Sequence, residues 1–175
     1  PSQGDECPMA RVSQMFDVLN KITIDAIIES KSIGERELAA FHFLKLMPGD
    51  LVLLDRGYPA YWLFNLILSQ GGDFCARIQS NSWNVVRQFY NSGRKEKIIF
   101  VPVTLSSVKH CEEMGLELRP LKLRLIRVEL DNGESEILIT SLLDTEKYPH
   151  QQFEELYHLR WPVEEDYKVM TQRME

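Results

Sequence analysis

Five side chains that could bind or transfer charge recur at helical spacing near the end of the chain. In the stretch "YHLRWPVEEDYKVM", Tyr157, Arg160, Glu164 and Lys168 are separated by three, four and four positions, and Thr171 follows three positions later. Residues at these intervals lie on one face of a helix. An acid flanked by two bases indicates either an exposed face with ion pairs or a site for a charged ligand, and spacing alone leaves both open.

Pro162 interrupts this helical pattern two residues before Glu164. A proline inside a helix removes one hydrogen bond and clashes with the preceding turn, at a cost of about 3 kcal/mol or more. Costly local features cluster at functional sites. We therefore predict a bend that turns Glu164 toward the rest of the domain, while Arg160 and Lys168 stay on the opposite side.

Asp55 is a second candidate, because it follows the apolar run of residues 51–54. An apolar run without alternation is typical of a parallel strand covered on both faces. Open α/β sheets bind ligands at the carboxyl ends of such strands. The alternative is an ordinary turn aspartate ahead of Gly57. An aspartate at a strand end and Glu164 from a bent helix would supply the oxygen ligands that hard divalent cations prefer.

The elements that must position these acids can be predicted from periodicity and turn residues. Two strands, 10–20 and 21–30, are predicted to form a hairpin. A helix should follow, with Ser32 and Glu35 as a capping box and Pro48 at its end. After the strand at 51–54, a helix should begin at Pro59 and a strand should cover 73–79.

The sequence pattern changes between residues 80 and 137, where β-favouring segments such as "RQFYNSGRKEKIIFVPVTL" alternate with turns. This segment is interpreted as a β-rich insertion into a core made of residues 1–79 and 138–175. A slip of the apolar phase between Leu125 and Ile126 predicts a β-bulge. The last helix is predicted from Pro149, with a buried stripe formed by Phe153, Leu156, Leu159, Val163, Tyr167 and Met170.

Composition restricts the class of protein. Hydrophobic residues make up 44% and charged residues 26% of the 175 residues, and no apolar run approaches the length of a membrane span. Three cysteines without a CxxC pair favour free thiols in a reducing compartment, hence the cytoplasm, over a zinc site. A net charge of −6 argues against coating nucleic acid by bulk electrostatics. Local basic strips remain, such as Lys122 with Arg124, either as a solvent face or as part of a DNA-binding groove.

Taken together, "LLDRGY" and "YHLRWPVEEDYKVM" resemble the DDE-class transposases of bacterial insertion sequences, specifically the insertion-sequence-four group. That group has a second catalytic aspartate before Arg-Gly-Tyr or Arg-Gly-Phe, and a Tyr-x2-Arg-x3-Glu-x6-Lys signature. Asp55 matches the aspartate, and Tyr157, Arg160 and Glu164 match the signature. The chain departs from it at Thr171, which stands where the family has lysine, and Lys168 is the nearest base.

The resemblance implies an α/β, ribonuclease-H-like mixed sheet flanked by helices. In that fold three antiparallel strands precede the first helix, whereas only two are predicted here. The first strand, with the first catalytic aspartate, is therefore expected upstream of Pro1, and this fragment alone is expected to be inactive. Asp17 and Asp25 are possible substitutes, although strand acids usually face solvent.

The resemblance also implies the reaction and its partners. Asp55 and Glu164 would bind Mg2+, with Mn2+ as a substitute, for two-metal-ion cleavage and joining of phosphodiesters at the ends of the element. Tyr157, Arg160, Lys168 and, more weakly, Arg56 would contact the DNA. Terminal inverted repeats and target DNA would be the partners of a homodimer acting in the cytoplasm at the nucleoid, with no membrane association.

Two other classes of protein share these features. A metal-dependent nuclease or resolvase of the same fold would use the same acids but would not join strands. A catalytically inactive DNA-binding relic is the option without enzymatic activity, and Thr171 favours it slightly.

Overall fold

A hairpin and a five-stranded mixed sheet carry the chain in the computed structural model, which describes residues 10–130 and 133–160. The strands are β1 (Ala10–Asp17), β2 (Ile22–Ser30), β3 (Leu51–Leu54), β4 (Asp73–Ile78), β5 (Glu96–Val101), β6 (Leu121–Glu129) and β7 (Ser135–Thr140). The helices are α1 (Glu35–Phe43), α2 (Tyr61–Ser69), α3 (Asn84–Asn91), α4 (Leu105–Glu113) and α5 (Phe153–His158), the last preceded by a 3-10 turn at His150–Gln152.

The predicted hairpin is confirmed, since β1 and β2 pair in antiparallel register. Asp17 ends β1 and stabilises the turn by accepting hydrogen bonds from the backbone N–H groups of Leu19 and Asn20, both at 2.9 Å. Lys21 completes the turn with a φ of 57°. Asp17 therefore has a structural role in the turn, as expected of a short acid beside a reversal of the chain.

The hairpin is held against α1 by a group of polar side chains, which we call the hairpin dock: Ser13, Asp25, His42 and Lys45. His42 is buried, with Nδ1 2.7 Å from Oδ2 of Asp25 and Nε2 3.1 Å from Oγ of Ser13. Nζ of Lys45 donates to the same Oδ2 of Asp25 at 2.5 Å. The dock satisfies the polar atoms that this contact buries.

The predicted capping box at the start of α1 is wrong. The helix begins at Glu35 with Gly34 at the N-cap position, and no side chain caps it. Ser32 lies two residues before the N-cap position, and its hydroxyl donates to Oγ of Ser30 at 3.0 Å. The next helix also begins later than predicted, at Tyr61 and not at Pro59.

The five-stranded sheet has the order β3-β4-β7-β6-β5. As predicted, β3 is parallel to a neighbour, β4, while the remaining pairs are antiparallel. One face packs against α2, through Leu63 and Phe64 among others, and the opposite face packs against Phe153 and Tyr157 of α5. The result is a mixed α/β arrangement with helices on both faces of the sheet, consistent with the expected ribonuclease-H-like fold.

The predicted β-bulge in β6 is wrong, since its register with β5 and β7 runs through Leu125 and Ile126 without a shift. Both residues are fully buried, Leu125 in the core on one face of the sheet and Ile126 in the core on the other. A central strand covered on both faces needs apolar residues at odd and even positions. The apparent slip in the apolar pattern of β6 therefore arises because both faces of the strand are covered.

Residues 80–137 are more helical than predicted. Part of the expected strand "RQFYN" lies in α3, whose apolar residues Val86 and Phe89 are three positions apart and buried. Both β5 and β6 join the same sheet as β3 and β4. The boundaries of an insertion at 80 and 137 stay a prediction.

A buried arginine holds the segment that leads into α5. Arg124 of β6 is 1% exposed, and its Nε donates to Oε2 of Glu96 at 2.9 Å. Its Nη1 donates to the carbonyl of Tyr148 at 2.7 Å, and the guanidinium lies 5.3 Å from the ring centre of Phe153. The suggestion that Arg124 belongs to a solvent face or to a DNA-binding groove is therefore wrong.

The predicted buried stripe of the last helix is correct at Phe153 and wrong at Leu159. Phe153 is fully buried, whereas Leu159 is 37% exposed. Tyr157, expected on the polar stripe, is buried in place of Leu159. α5 ends at His158, and its buried side faces the end of β3.

Cys75 and Cys111 are free and buried, as predicted for thiols without a structural partner. Burial raises the pKa of Cys75 to about 12, so this thiol stays protonated at neutral pH.

Candidate active site

Asp55 lies directly after β3, at the carboxyl end of a strand that runs parallel to β4. Leu54 is in register with Ala76, so the next residue of each strand, Asp55 and Arg77, are neighbours. Oδ1 of Asp55 accepts hydrogen bonds from Nε of Arg77 at 3.0 Å and from Nη2 at 2.7 Å. The parallel register thus pairs the predicted acid with an arginine.

Arg77 also contacts a second acid. Its Nη1 donates to Oε1 of Glu136 at 2.5 Å, and Nη2 of Arg56 lies 3.5 Å from the same oxygen. Glu136 belongs to β7, which pairs with β4. We call these four residues, Asp55, Arg56, Arg77 and Glu136, the strand-end cluster.

Tyr157 connects α5 to the strand-end cluster. Its hydroxyl donates to the carbonyl of Leu54 at 3.2 Å and lies 3.5 Å from Oδ1 of Asp55. Burial raises the pKa of Tyr157 to about 12, so the hydroxyl remains a donor at neutral pH. The guanidinium of Arg160 lies 5.7 Å from the centre of the Tyr157 ring, one turn further along.

The charges of the cluster favour an ionised Asp55. Burial would raise its pKa, but hydrogen bonds from the backbone N–H of Arg56 and from Arg77 outweigh burial, and the pKa lies below the ordinary value of 3.8. Burial lowers the pKa of Arg77, and its hydrogen bonds to Glu136 and Asp55 reverse the effect, so the net shift is upward. At neutral pH Asp55 is therefore an ionised carboxylate paired with Arg77.

Four of the predicted site residues come together in the structure: Asp55, Arg56, Tyr157 and Arg160. The other two, Glu164 and Lys168, lie outside the described residues, as do Pro162 and Thr171. The meeting of Asp55 with Glu164 therefore stays a prediction. The proposed substitutes lie elsewhere, because Asp17 stabilises the hairpin turn and Asp25 belongs to the hairpin dock.

Sequence reasoning missed Arg77 and Glu136. Arg77 lies between apolar neighbours in "CARIQ", where a charged side chain is unusual, whereas Glu136 directly precedes the apolar run of "SEILI". The available signal was an arginine inside a predicted core strand, which needs a partner if it is not exposed. The identity of that partner depends on the order of the strands, which the sequence pattern did not give.

The chemistry of Asp55 fits a hard divalent cation. Its side chain is 38% exposed, ionised and oxygen-bearing. Within residues 10–130 and 133–160, no three His, Cys, Asp or Glu side chains are grouped so that they could hold a metal ion.

Comparison with known families agrees with this fold. The mixed sheet flanked by helices, with an acid after a parallel strand, is the arrangement of a DDE-type catalytic domain. The model of the family described as "Transposase DDE domain" matches residues 2–175, and the chain belongs to that family. Comparison with curated proteins gives no match. None of the helices in the described part of the chain is long and apolar enough to cross a membrane.

Proposed function

We propose that the chain is the catalytic core of a transposase of the insertion-sequence-four group, which cleaves and joins phosphodiesters at the ends of its element. The observation that carries this proposal is the contact between Tyr157 and Asp55. Asp55 belongs to "LLDRGY" and Tyr157 to "YHLRWPVEEDYKVM", 102 positions apart, and the hydroxyl of Tyr157 lies 3.5 Å from the carboxylate of Asp55. This contact supports the proposal that the two motifs contribute to one site.

Asp55 and Glu164 are the residues proposed to hold Mg2+. When bound, the metal would supply the Lewis acidity that phosphodiester displacement needs. Hydrogen bonds from the backbone N–H of Arg56 and from Arg77 lower the pKa of Asp55, and Arg77 holds one of its oxygens in place. Tyr157 anchors the start of the signature to the end of β3.

DNA is the proposed substrate, as the family implies, and the cations at the edge of the site are its proposed contacts. Arg56 has a side chain that is 51% exposed. Guanidinium groups bind phosphates through two donors, which positions a strand without reading its sequence. Arg160 and Lys168 are proposed for the same task. A homodimer that holds both ends of the element, in the cytoplasm, completes the proposal.

The test uses the full-length protein and a DNA carrying the ends of its element. Wild type should release the element and join it to a target in Mg2+, whereas Asp55→Asn and Glu164→Gln should do neither while folding normally. Glu117→Gln is the control, because Glu117 is an exposed acid, paired with Arg119 away from the site. Cleavage without joined products would identify a nuclease, and full activity in Asp55→Asn would refute the proposed site.

A further inference from the structure

Arg77 lies between two carboxylates and contacts both with different edges of its guanidinium group. Nε and Nη2 contact Asp55, while Nη1 contacts Glu136 at 2.5 Å. The guanidinium is planar and rigid, so fixing one edge fixes the direction of the others. The position of Glu136 therefore determines how Arg77 approaches Asp55.

Side-chain donors hold one oxygen of Asp55. Three of their hydrogen bonds end on Oδ1, two from Arg77 and one from Tyr157, and the backbone N–H of Arg56 also donates to the carboxylate. With Oδ1 held, rotation of the carboxylate is restricted and Oδ2 is presented in one direction. A ligand group fixed by its neighbours loses less freedom when it binds a cation, and such neighbours commonly change metal affinity by about 10- to 100-fold.

We propose that Glu136 is a positioning residue of the site, which acts through Arg77 to orient Asp55 for a divalent cation. The inference rests on the proposed function, since it concerns the same aspartate. Glu136 also balances the charge of Arg77. Without Glu136, that positive charge would be balanced mainly by Asp55 and would compete with the incoming cation for the carboxylate.

A purely structural ion pair is the alternative. The side chains of Arg77 and Glu136 are 21% and 19% exposed, so their pairing contributes to stability as well. Loss of stability alone would therefore not distinguish the two roles. The orientation of Arg77 and the affinity for a cation do distinguish them.

The first measurement follows the guanidinium signals of Arg77 by nitrogen-15 NMR in the full-length protein. In wild type, the bond between Nε and Cζ should rotate slowly, because both edges of the group are held. Glu136→Gln should speed this rotation. Glu129→Gln is the matched control. Glu129 lies on β6 opposite Ser135, the residue before Glu136, and its side chain is on the opposite face of the sheet. Unchanged rotation in Glu136→Gln would overturn the proposal.

The second measurement is the affinity for Mg2+, determined by calorimetry. Glu136→Gln should bind Mg2+ about 10-fold more weakly than wild type, and Glu129→Gln should bind it normally. Because Glu136 acts through Arg77, adding Glu136→Gln to Arg77→Gln should not lower the affinity for Mg2+ further. Additive effects, or normal affinity in Glu136→Gln, would overturn the positioning role alone. No Mg2+ binding by wild type would refute the proposed function and the positioning role together.

Discussion

Two aspartates of this chain accept bonds from cationic neighbours, yet their surroundings differ. In the hairpin dock, Oδ2 of Asp25 contacts both His42 and Lys45. The other ring nitrogen of the buried His42 contacts the hydroxyl of Ser13. In the strand-end cluster, Asp55 is 38% exposed at a strand end, beside a tyrosine from a distant part of the chain. The hairpin dock joins the hairpin to α1, whereas the strand-end cluster leaves the side chain of Asp55 partly exposed at the surface.

The difference shows that the neighbours of an acid, and not its pKa, separate a structural carboxylate from a candidate metal ligand. The pKa of Asp25 and that of Asp55 are both lowered, the first chiefly by its hydrogen bond from Lys45 and the second despite burial. Asp25 holds together elements that are adjacent in sequence, whereas the cluster gathers residues from the ends of β3, β4 and β7, and Tyr157 connects α5 to it. Gathering distant elements at a strand end is typical of sites in α/β folds.

The sharpest way to break this comparison is to remove each carboxylate in turn. Asp55→Asn should abolish cleavage and joining of DNA, because a proposed metal ligand is lost. Asp25→Asn should weaken the attachment of the hairpin but leave the activity per folded molecule within about 2-fold of wild type, since no step uses it. Activity assays normalised to the folded fraction by circular dichroism check this. Equal loss in both variants would place the dock in the reaction.

The next largest effect is expected from the dock itself. His42→Ala should lower the free energy of unfolding by about 2 kcal/mol, because it leaves a cavity and removes two partners from buried polar atoms. Urea unfolding followed by tryptophan fluorescence measures this. The signals of the strand-end cluster should be unchanged in the same variant. A stability equal to that of wild type would show that the dock contributes nothing to the attachment of the hairpin.

A smaller effect should follow from removing one hydroxyl at the strand-end cluster. Tyr157→Phe keeps the buried ring and loses the hydrogen bond to the carbonyl of Leu54, so the free energy of unfolding should fall by about 1 kcal/mol. Tyr90→Phe is the control, because Arg127 contacts Tyr90 through the ring and the backbone carbonyl, which the substitution keeps. Similar losses in both variants would remove the special role of Tyr157 in joining α5 to β3.

The smallest effect concerns acid. The pKa of Asp55 in the folded chain lies below 3.8, so its contribution to stability is present above that pH and is lost as the pH falls through the lower folded value. Asp55→Asn has no such contribution to lose. Its stability should therefore fall less steeply than that of wild type below about pH 4, as measured by urea unfolding at a series of pH values. Parallel curves would show that Asp55 is not stabilised in its ionised form.

Sequence reasoning was most successful where a single element determines the outcome. The hairpin, the strand ending at Leu54 and the placement of Asp55 follow from local pattern, and the structure has them. It failed where both faces of one strand are covered, as at Leu125 and Ile126, because burial on two faces erases alternation. Local pattern also could not identify Arg77 and Glu136, since their contact depends on which strands are neighbours in the sheet.

The position of β3 in the sheet has a consequence for control of the site. Among the described strands, β3 pairs only with β4, so its other side offers unused backbone donors and acceptors. Asp55 is the first residue after that strand. A polypeptide segment that pairs with this side of β3 would therefore lie one residue from Asp55.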